Sequence, residues 1–334
     1  MPQSTGVLIR GDGVAARCCA HLLSRSGLGV CFEPTGRPRL PAIMLSAPAQ
    51  ALIQDVFGRE MFGDLPRIRK RIVAWGRGAS PVELDHSAVV ISEELLLDSL
   101  APGLPHAAAG AESGWTVFAS QPLPAAAATH RFGSRMASAA AVTLKTTAEP
   151  AACWIESIEE GWLFLISTAP GSAWLLSVGL TPGNLLGHSR LVQDQIAECQ
   201  PAAAQFAASP SIAAPLGEPG WMACGTAAMS FDPLCGDGTA HAVREAILAS
   251  AVIGAVARGD DPVPLLAHYE ARLTAGFRRH LAHCLEYYSS GYGGAWWQCE
   301  AESVAQGLDW CDQRLSHHTT FRYRLDGFEL HAIG

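Results

Sequence analysis

Gly6-Val7-Leu8-Ile9-Arg10-Gly11-Asp12-Gly13-Val14-Ala15-Ala16 is the stretch on which the fold of this chain turns. An apolar strand runs into Gly-x-Gly-x-x-Ala and a helical pattern follows through Ser26. A second strand, Leu28-Gly29-Val30-Cys31-Phe32, then ends on Glu33. Strand, glycine turn, helix, strand and acid in that order make the dinucleotide-binding βαβ unit. Gly11 permits the tight turn, Gly13 lets the backbone approach a pyrophosphate, and Ala16 lets the helix pack close to the strand. Glu33 stands 22 residues beyond Gly11, near the spacing of about 20 at which an acid meets the ribose hydroxyls.

A second segment carries related logic. Trp221-Met222-Ala223-Cys224 reads as a short apolar strand and Gly225-Thr226-Ala227-Ala228 as a turn of small residues. Asp232-Pro233-Leu234-Cys235-Gly236-Asp237-Gly238 then enters an alanine-rich helix. A helix that starts where a buried strand ends aims unpaired N–H groups and a positive dipole outward. That suits an electron-rich or anionic group. On its own such an entry is an ordinary turn; the amino-terminal fingerprint is what makes it a candidate ligand site.

The two segments together resemble the FAD-dependent oxidoreductase group that contains the aromatic hydroxylases and the flavin-dependent tryptophan halogenases. The resemblance implies FAD as cofactor, with Gly11, Gly13, Ala15, Ala16 and Glu33 holding its ADP half. Arg39, in the turn Arg37-Pro38-Arg39, either faces the phosphates or belongs to a solvated basic turn. Gly225, Thr226, Asp232, Pro233, Gly236 and Gly238 fill the pattern that holds the ribityl chain and the flavin edge. Three departures stand out. Thr226 replaces the usual acid, Ile91-Ser92 replace an arginine ahead of the helix at Glu93, and Leu123 to Arg131 lacks the acid of the family's return strand. Halogenase marks are missing. Gly161-Trp162-Leu163-Phe164-Leu165-Ile166 stands where Trp-x-Trp-x-Ile-Pro belongs, no Gly-Gly-Asn-Phe-Lys loop occurs, and Lys70 lies on a strand-like segment.

Composition sets the bounds. The chain has 334 residues, 49% hydrophobic and 16% charged, with a net charge of −8. It can bury a large core and lies outside the disordered range. An acidic chain argues against a nucleic-acid surface. No run reaches the roughly 20 apolar residues of a membrane span, and Ala246 to Ala257 reads as a buried helix. The first residues lack a secretory pattern, so the cytoplasm is the expected location. Ten cysteines show no Cys-x-x-Cys spacing and read as reduced and structural. Zinc on Cys299, Cys311 and His317 or His318 is a minor reading, and no metal is expected.

Further along, Ala49 to Phe57 and Ser92 onward read as helices, the latter with an N-cap serine. Arg67 to Gly76 reads as a basic strand that either faces solvent or lines an entry to the flavin. Segments at 141–144, 153–157, 161–166 and 173–178 predict an antiparallel sheet, with Trp162 and Phe164 on one face. Asp260-Asp261-Pro262 opens a long helix to Ser289 with a stripe of period 3.6. The tail beyond is aromatic, from Tyr287, Tyr288 and Tyr292 through Trp296, Trp297 and Trp310 to Phe321, Tyr323 and Phe328.

The expected fold is α/β: a Rossmann-like FAD-binding domain (1–90 and 218–260), interlocked with an antiparallel-sheet substrate domain (91–217) and a helical, aromatic-rich cap (261–334). The expected function is that of a monooxygenase acting on a small aromatic molecule or a partner peptide. A reduced nicotinamide or a flavin reductase would supply electrons. Flavin chemistry needs no protein acid–base dyad, in keeping with the absence of one. Asp85-His86 is the nearest titratable pair, but neighbours on a strand point to opposite faces. The alternative is a degenerate flavoprotein fold acting as a non-catalytic binding or assembly subunit, motivated by Thr226 and the eroded return strand.

Overall fold

A computed structural model describes residues 6–101, 113–316 and 323–333. Five strands form a small sheet in the order 217–218, 221–223, 113–118, 6–10, 30–33. The strand Gly6–Arg10 runs parallel to both Val30–Glu33 and Ser113–Phe118. Helix α1 (Val14–Arg25) follows the first strand, completing the βαβ unit. Its inner face carries Ala15, Ala16, Cys18 and Cys19, all buried, because small side chains let a helix approach a parallel sheet.

Helix α2 (Ala47–Phe57) is capped by Ser46, whose hydroxyl accepts from the Ala49 N–H. Helix α3 (Glu93–Leu100) is capped by Ser92, which accepts from Leu95 N–H at 3.2 Å. Short α4 (Pro182–Leu186) precedes α5 (Gly238–Ala257), α6 (Pro262–Ser289) and α7 (Ala295–Leu315). Helix α5 is long and apolar enough to cross a membrane by length and composition, and 67% of that stretch is buried inside the fold. A helix apolar nearly all round is what a protein core also requires, and α5 packs on α1, α2 and α6.

The large sheet runs 196–199, 136–144, 172–179, 161–169, 152–158, 67–74, 82–91, 43–46, with 204–207 paired beside 136–144. The four strands expected near 141–178 are antiparallel neighbours within it. Strands 67–74 and 82–91 join this sheet, through parallel pairing of Lys70–Ala74 with Ala152–Glu156. Ser113–Phe118 joins the small sheet instead. The two sheets therefore exchange segments on either side of residue 90.

Helices α6 and α7 pack on each other, and the end of α6 and the start of α7 meet the large sheet at its 158–162 hairpin. Trp297 is buried and its indole N–H donates to Ile158 O at 2.8 Å. Trp162 donates to Tyr288 Oη at 3.2 Å. Tyr288 and Trp297 of the aromatic tail therefore meet the 158–162 hairpin, and Phe321 lies outside the described residues. Cys299 and Cys311 share α7 twelve residues apart, about 18 Å along a helix, too far to hold one ion. His317 and His318 lie outside the described residues.

Candidate functional site

Gly11 ends the first strand at φ +125°, and a Cβ there would sit 3.0–3.1 Å from Ser120 Oγ and the Ala119–Ser120 backbone. Its N–H donates to Glu33 O at 2.8 Å, drawing the end of the second strand in. Gly13 is the N-cap of α1 and no side chain caps the helix. The first intrahelical bond here is Arg17 N–H to Gly13 O, so the N–H groups of Val14, Ala15 and Ala16 have no helical acceptor.

Two arginines close over that end. Arg37 Nη2 lies 3.2 Å from where a Gly13 Cβ would stand, and its guanidinium is held by Glu93, only 3% exposed. Arg39 pairs with buried Asp12. Asp12 Oδ1 and Arg39 Nη1 are buried without a hydrogen-bond partner. An uncapped helix start beneath two guanidinium groups is geometry that suits an anion, and here the two groups are paired with Glu93 and Asp12. Glu33 sits at its rim, exposed, with Arg10 at 3.1 Å. Exposed pairs of that kind are worth at most about 1 kcal/mol, so the acid is free to turn toward a ligand hydroxyl.

The second turn is pressed against the first. Gly225 takes φ +57°, and a Cβ there would meet Ala15 Cβ at 2.7 Å. Thr226 is exposed and its hydroxyl donates to Ala119 O at 3.3 Å, beside the backbone that abuts Gly11. Gly11, Gly13, Ala15, Ala16, Gly225 and Thr226 therefore form one cradle. Farther on, Gly236 and Gly238 have open space where a Cβ would project. Helix α5 begins at Gly238 without a side-chain cap.

Asp232 behaves differently. It caps the turn begun by Pro233, accepting from Leu234 N–H at 2.9 Å, but its side chain faces the interior. There it accepts from Tyr288 Oη at 2.8 Å and pairs with Arg135 at 2.9 Å. Burial outweighs the guanidinium and pushes this carboxyl up. Arg135 also meets buried Glu300 at 2.5 Å. Asp232 can act on a ligand only by positioning the turn.

The turn Arg37-Pro38-Arg39 is expected from the sequence to bring arginines to this end, while sequence reasoning missed Arg135, Tyr288, Glu300 and Glu245. Only Glu245 leaves a readable signal, an acid inside an apolar helix. It accepts from Gly225 N–H at 2.7 Å, and its other oxygen has no partner. Burial pushes its carboxyl well above the ordinary 4.5. The folded state thus holds a proton that the unfolded state releases above its lower pKa, so this group removes stability as pH rises through that window. Glu245→Gln keeps the acceptor and removes the ionisation. Its melting temperature should exceed the parent's increasingly from pH 5 to pH 8; parallel pH profiles would show that Glu245 is not the buried acid described.

One face of the large sheet runs away from this turn. Trp162 donates to Tyr288, which in turn donates to Asp232, and Phe164 and Ile166 follow on the same face as Trp162. Half-buried Met44, Phe164 and Trp174 pack there on Ile68, Val90 and Ile166. Arg71 borders the patch, its Nη2 3.3 Å from His86 Nε2. Burial first, then Arg71, lowers the His86 pKa. A separate cavity of about 850 Å³ lies along α5 and α6, with Asp237, His241, Arg244 and His280 in its wall. Burial holds both histidines neutral, pushing His241 down to about 4 and His280 to about 3.

No protein-family model matches the chain, and no curated protein matches it. Solved structures do. The flavin-dependent brominase Bmp2 superposes with a TM-score of 0.70 at 17% identity, covering 93% of each chain. The peptidyl tryptophan dihydroxylase QhpG, described as essential for tryptophylquinone cofactor biogenesis, gives 0.70 at 18% identity, over 88% of this chain and 78% of its own. A Klebsiella pneumoniae HpxO variant complexed with FAD gives 0.63 at 13% identity, over 93% of this chain and 94% of its own. At such identities the likeness is one of fold, and the fold of this chain is that shared by flavin-dependent halogenases and FAD-dependent aromatic hydroxylases.

Proposed function

We propose that the protein is an FAD-dependent oxidoreductase, a monooxygenase acting on an aromatic group carried by a small molecule or a partner peptide. The observation that carries this reading is the cradle itself: Gly225 pressed on Ala15 beneath an uncapped α1, with Arg37 and Arg39 closing over Gly13. Its unpartnered Asp12 and Arg39 atoms and the uncapped start of α1 fit a dinucleotide. In this reading the N–H groups of α1 and the two arginines take the pyrophosphate, and Glu33 takes the ribose. Thr226 donates to the ribityl chain. Gly236 and Gly238 let the ring approach the start of α5, whose dipole favours negative charge there.

When bound, FAD supplies electron transfer and oxygen activation. The chain binds, orients and excludes water. Met44, Phe164 and Trp174 offer an aromatic substrate an apolar wall, and Arg71 with His86 gives its anionic substituent a partner. A reduced nicotinamide or a flavin reductase is the electron source, the cytoplasm the location, and no nucleic acid is a partner.

Purified protein should be yellow, release FAD on denaturation, and oxidise a nicotinamide or accept electrons from a reductase when an aromatic acid is present. Arg71→Ala should raise KM for aromatic acids about tenfold or more, the worth of one charge-assisted hydrogen bond, and leave neutral aromatics unchanged. Thr226 in place of the family acid, and the return segment Leu123 to Arg131 without its acid, support the second reading, a binding or assembly subunit. A colourless protein that takes up no FAD on titration would favour that reading and overturn the first.

A further inference from the structure

Cys235, His280 and Cys284 converge on one point, and nothing in the flavin reading uses them. His280 and Cys284 stand four residues apart on α6, so their side chains share a face. Cys235 arrives from the turn ahead of α5. The two sulfurs are 3.7 Å apart and Cys284 Sγ is 3.3 Å from His280 Nε2. All three donor atoms lie within 4.8 Å of one another. Zinc bonds of about 2.3 Å to sulfur and about 2.0 Å to nitrogen at tetrahedral angles put two sulfurs about 3.8 Å apart and sulfur and nitrogen about 3.5 Å apart. The two pairs that include Cys284 already hold that spacing, and the third, Cys235 to His280, lies within 4.8 Å, so a small movement of the Cys235 turn completes it.

We propose that Cys235, Cys284 and His280 bind a single zinc ion. Two thiol protons leave and two thiolates neutralise the 2+ charge, so the buried complex carries no net charge. His280 Nε2 now accepts from Asp232 N–H at 2.9 Å; that bond is exchanged for the metal bond. Cys235 and His280 also line the 850 Å³ cavity, so a water from it completes four-coordination. The sequence spacing hides the site because the third ligand lies 45 residues before His280. Zinc there would fasten the Asp232–Gly238 turn to α6. That consequence rests on the proposed function; the metal binding does not.

Elemental analysis of the protein as isolated should find one zinc per chain. After a chelator removes it, cobalt(II) should produce the thiolate charge-transfer bands and visible bands of a tetrahedral site, and zinc should abolish them. Cys235→Ser and Cys284→Ser should each weaken zinc binding by more than about 100-fold, while Cys299→Ser, outside the cluster, leaves it unchanged. If either serine variant fails to fold, the cobalt spectrum of the parent protein decides. A parent chain with no zinc and no cobalt–thiolate band overturns the proposal, as does full zinc affinity in the Cys235→Ser/Cys284→Ser double variant. A disulfide between the two cysteines in the isolated protein overturns it too. Zinc binding without FAD binding would leave the metal site standing and remove the flavin reading; FAD without zinc would do the reverse.

Discussion

Replacing Arg135 by methionine is expected to lower stability by about 3–5 kcal/mol, the usual loss when one partner of a buried ion pair is removed. The side chain is fully buried between two carboxylates, Asp232 at 2.9 Å and Glu300 at 2.5 Å. Its guanidinium also lies 4.4 Å from the centre of the Tyr288 ring. Methionine fills most of the volume but leaves two acids facing each other without a counter-charge. Ser134 keeps Glu300 bonded through its N–H and hydroxyl, and Tyr288 keeps Asp232 bonded. Neither donor is a cation, so both acids must take up protons or move. Urea denaturation of the two proteins measures the effect. Adding Asp232→Asn and Glu300→Gln to the methionine variant should restore part of the loss, because the stranded charges are gone. A loss under about 1 kcal/mol, or no recovery in the triple variant, would show that the cluster does not depend on its charge balance.

The same cluster shows where the sequence stops speaking. Glycine turns, the βαβ order and the period of α6 follow from backbone preference and local burial, which neighbouring residues encode. The cradle at Gly11, Gly13, Gly225 and Thr226 is legible because each turn announces itself and the two motifs belong together. Arg135, Asp232, Tyr288 and Glu300 are scattered over 165 residues, and nothing local to any of them signals a buried charge. Asp232 illustrates the ambiguity. Asp-Pro ahead of a helix is the signature of a capping turn, and the side chain does cap Leu234. Which way its second oxygen faces is set by Arg135, Tyr288 and the packing of α6, none of it visible in the motif. The sheet is similar: alternation at 153–178 marks the strands, but parallel pairing of 70–74 with 152–156 is a long-range contact that periodicity cannot express.

Gly13→Val should leave the fold intact and reduce FAD affinity by about 100-fold or more, the loss of two charge-assisted hydrogen bonds at about 1.5–3 kcal/mol each. Gly13 sits at φ −81°, ψ −174°, an extended conformation any residue adopts, so valine brings no backbone strain. The only side chain its Cβ would approach is Arg37, whose Nη2 at 3.2 Å is the far end of a flexible chain. What valine does obstruct is the space above the free N–H groups of α1, where a pyrophosphate must sit within hydrogen-bonding distance. Gly11 cannot serve for this test. At φ +125°, with Ala119 and Ser120 backbone atoms at 3.1 Å from a Cβ, alanine there would damage the protein before any cofactor arrives. Flavin content after purification, FAD titration and the melting temperature of the apoprotein together separate binding from folding. A Gly13→Val protein that melts with the parent and still binds FAD with parental affinity would remove the pyrophosphate from the start of α1. The cradle would then be a packing device between two glycine turns.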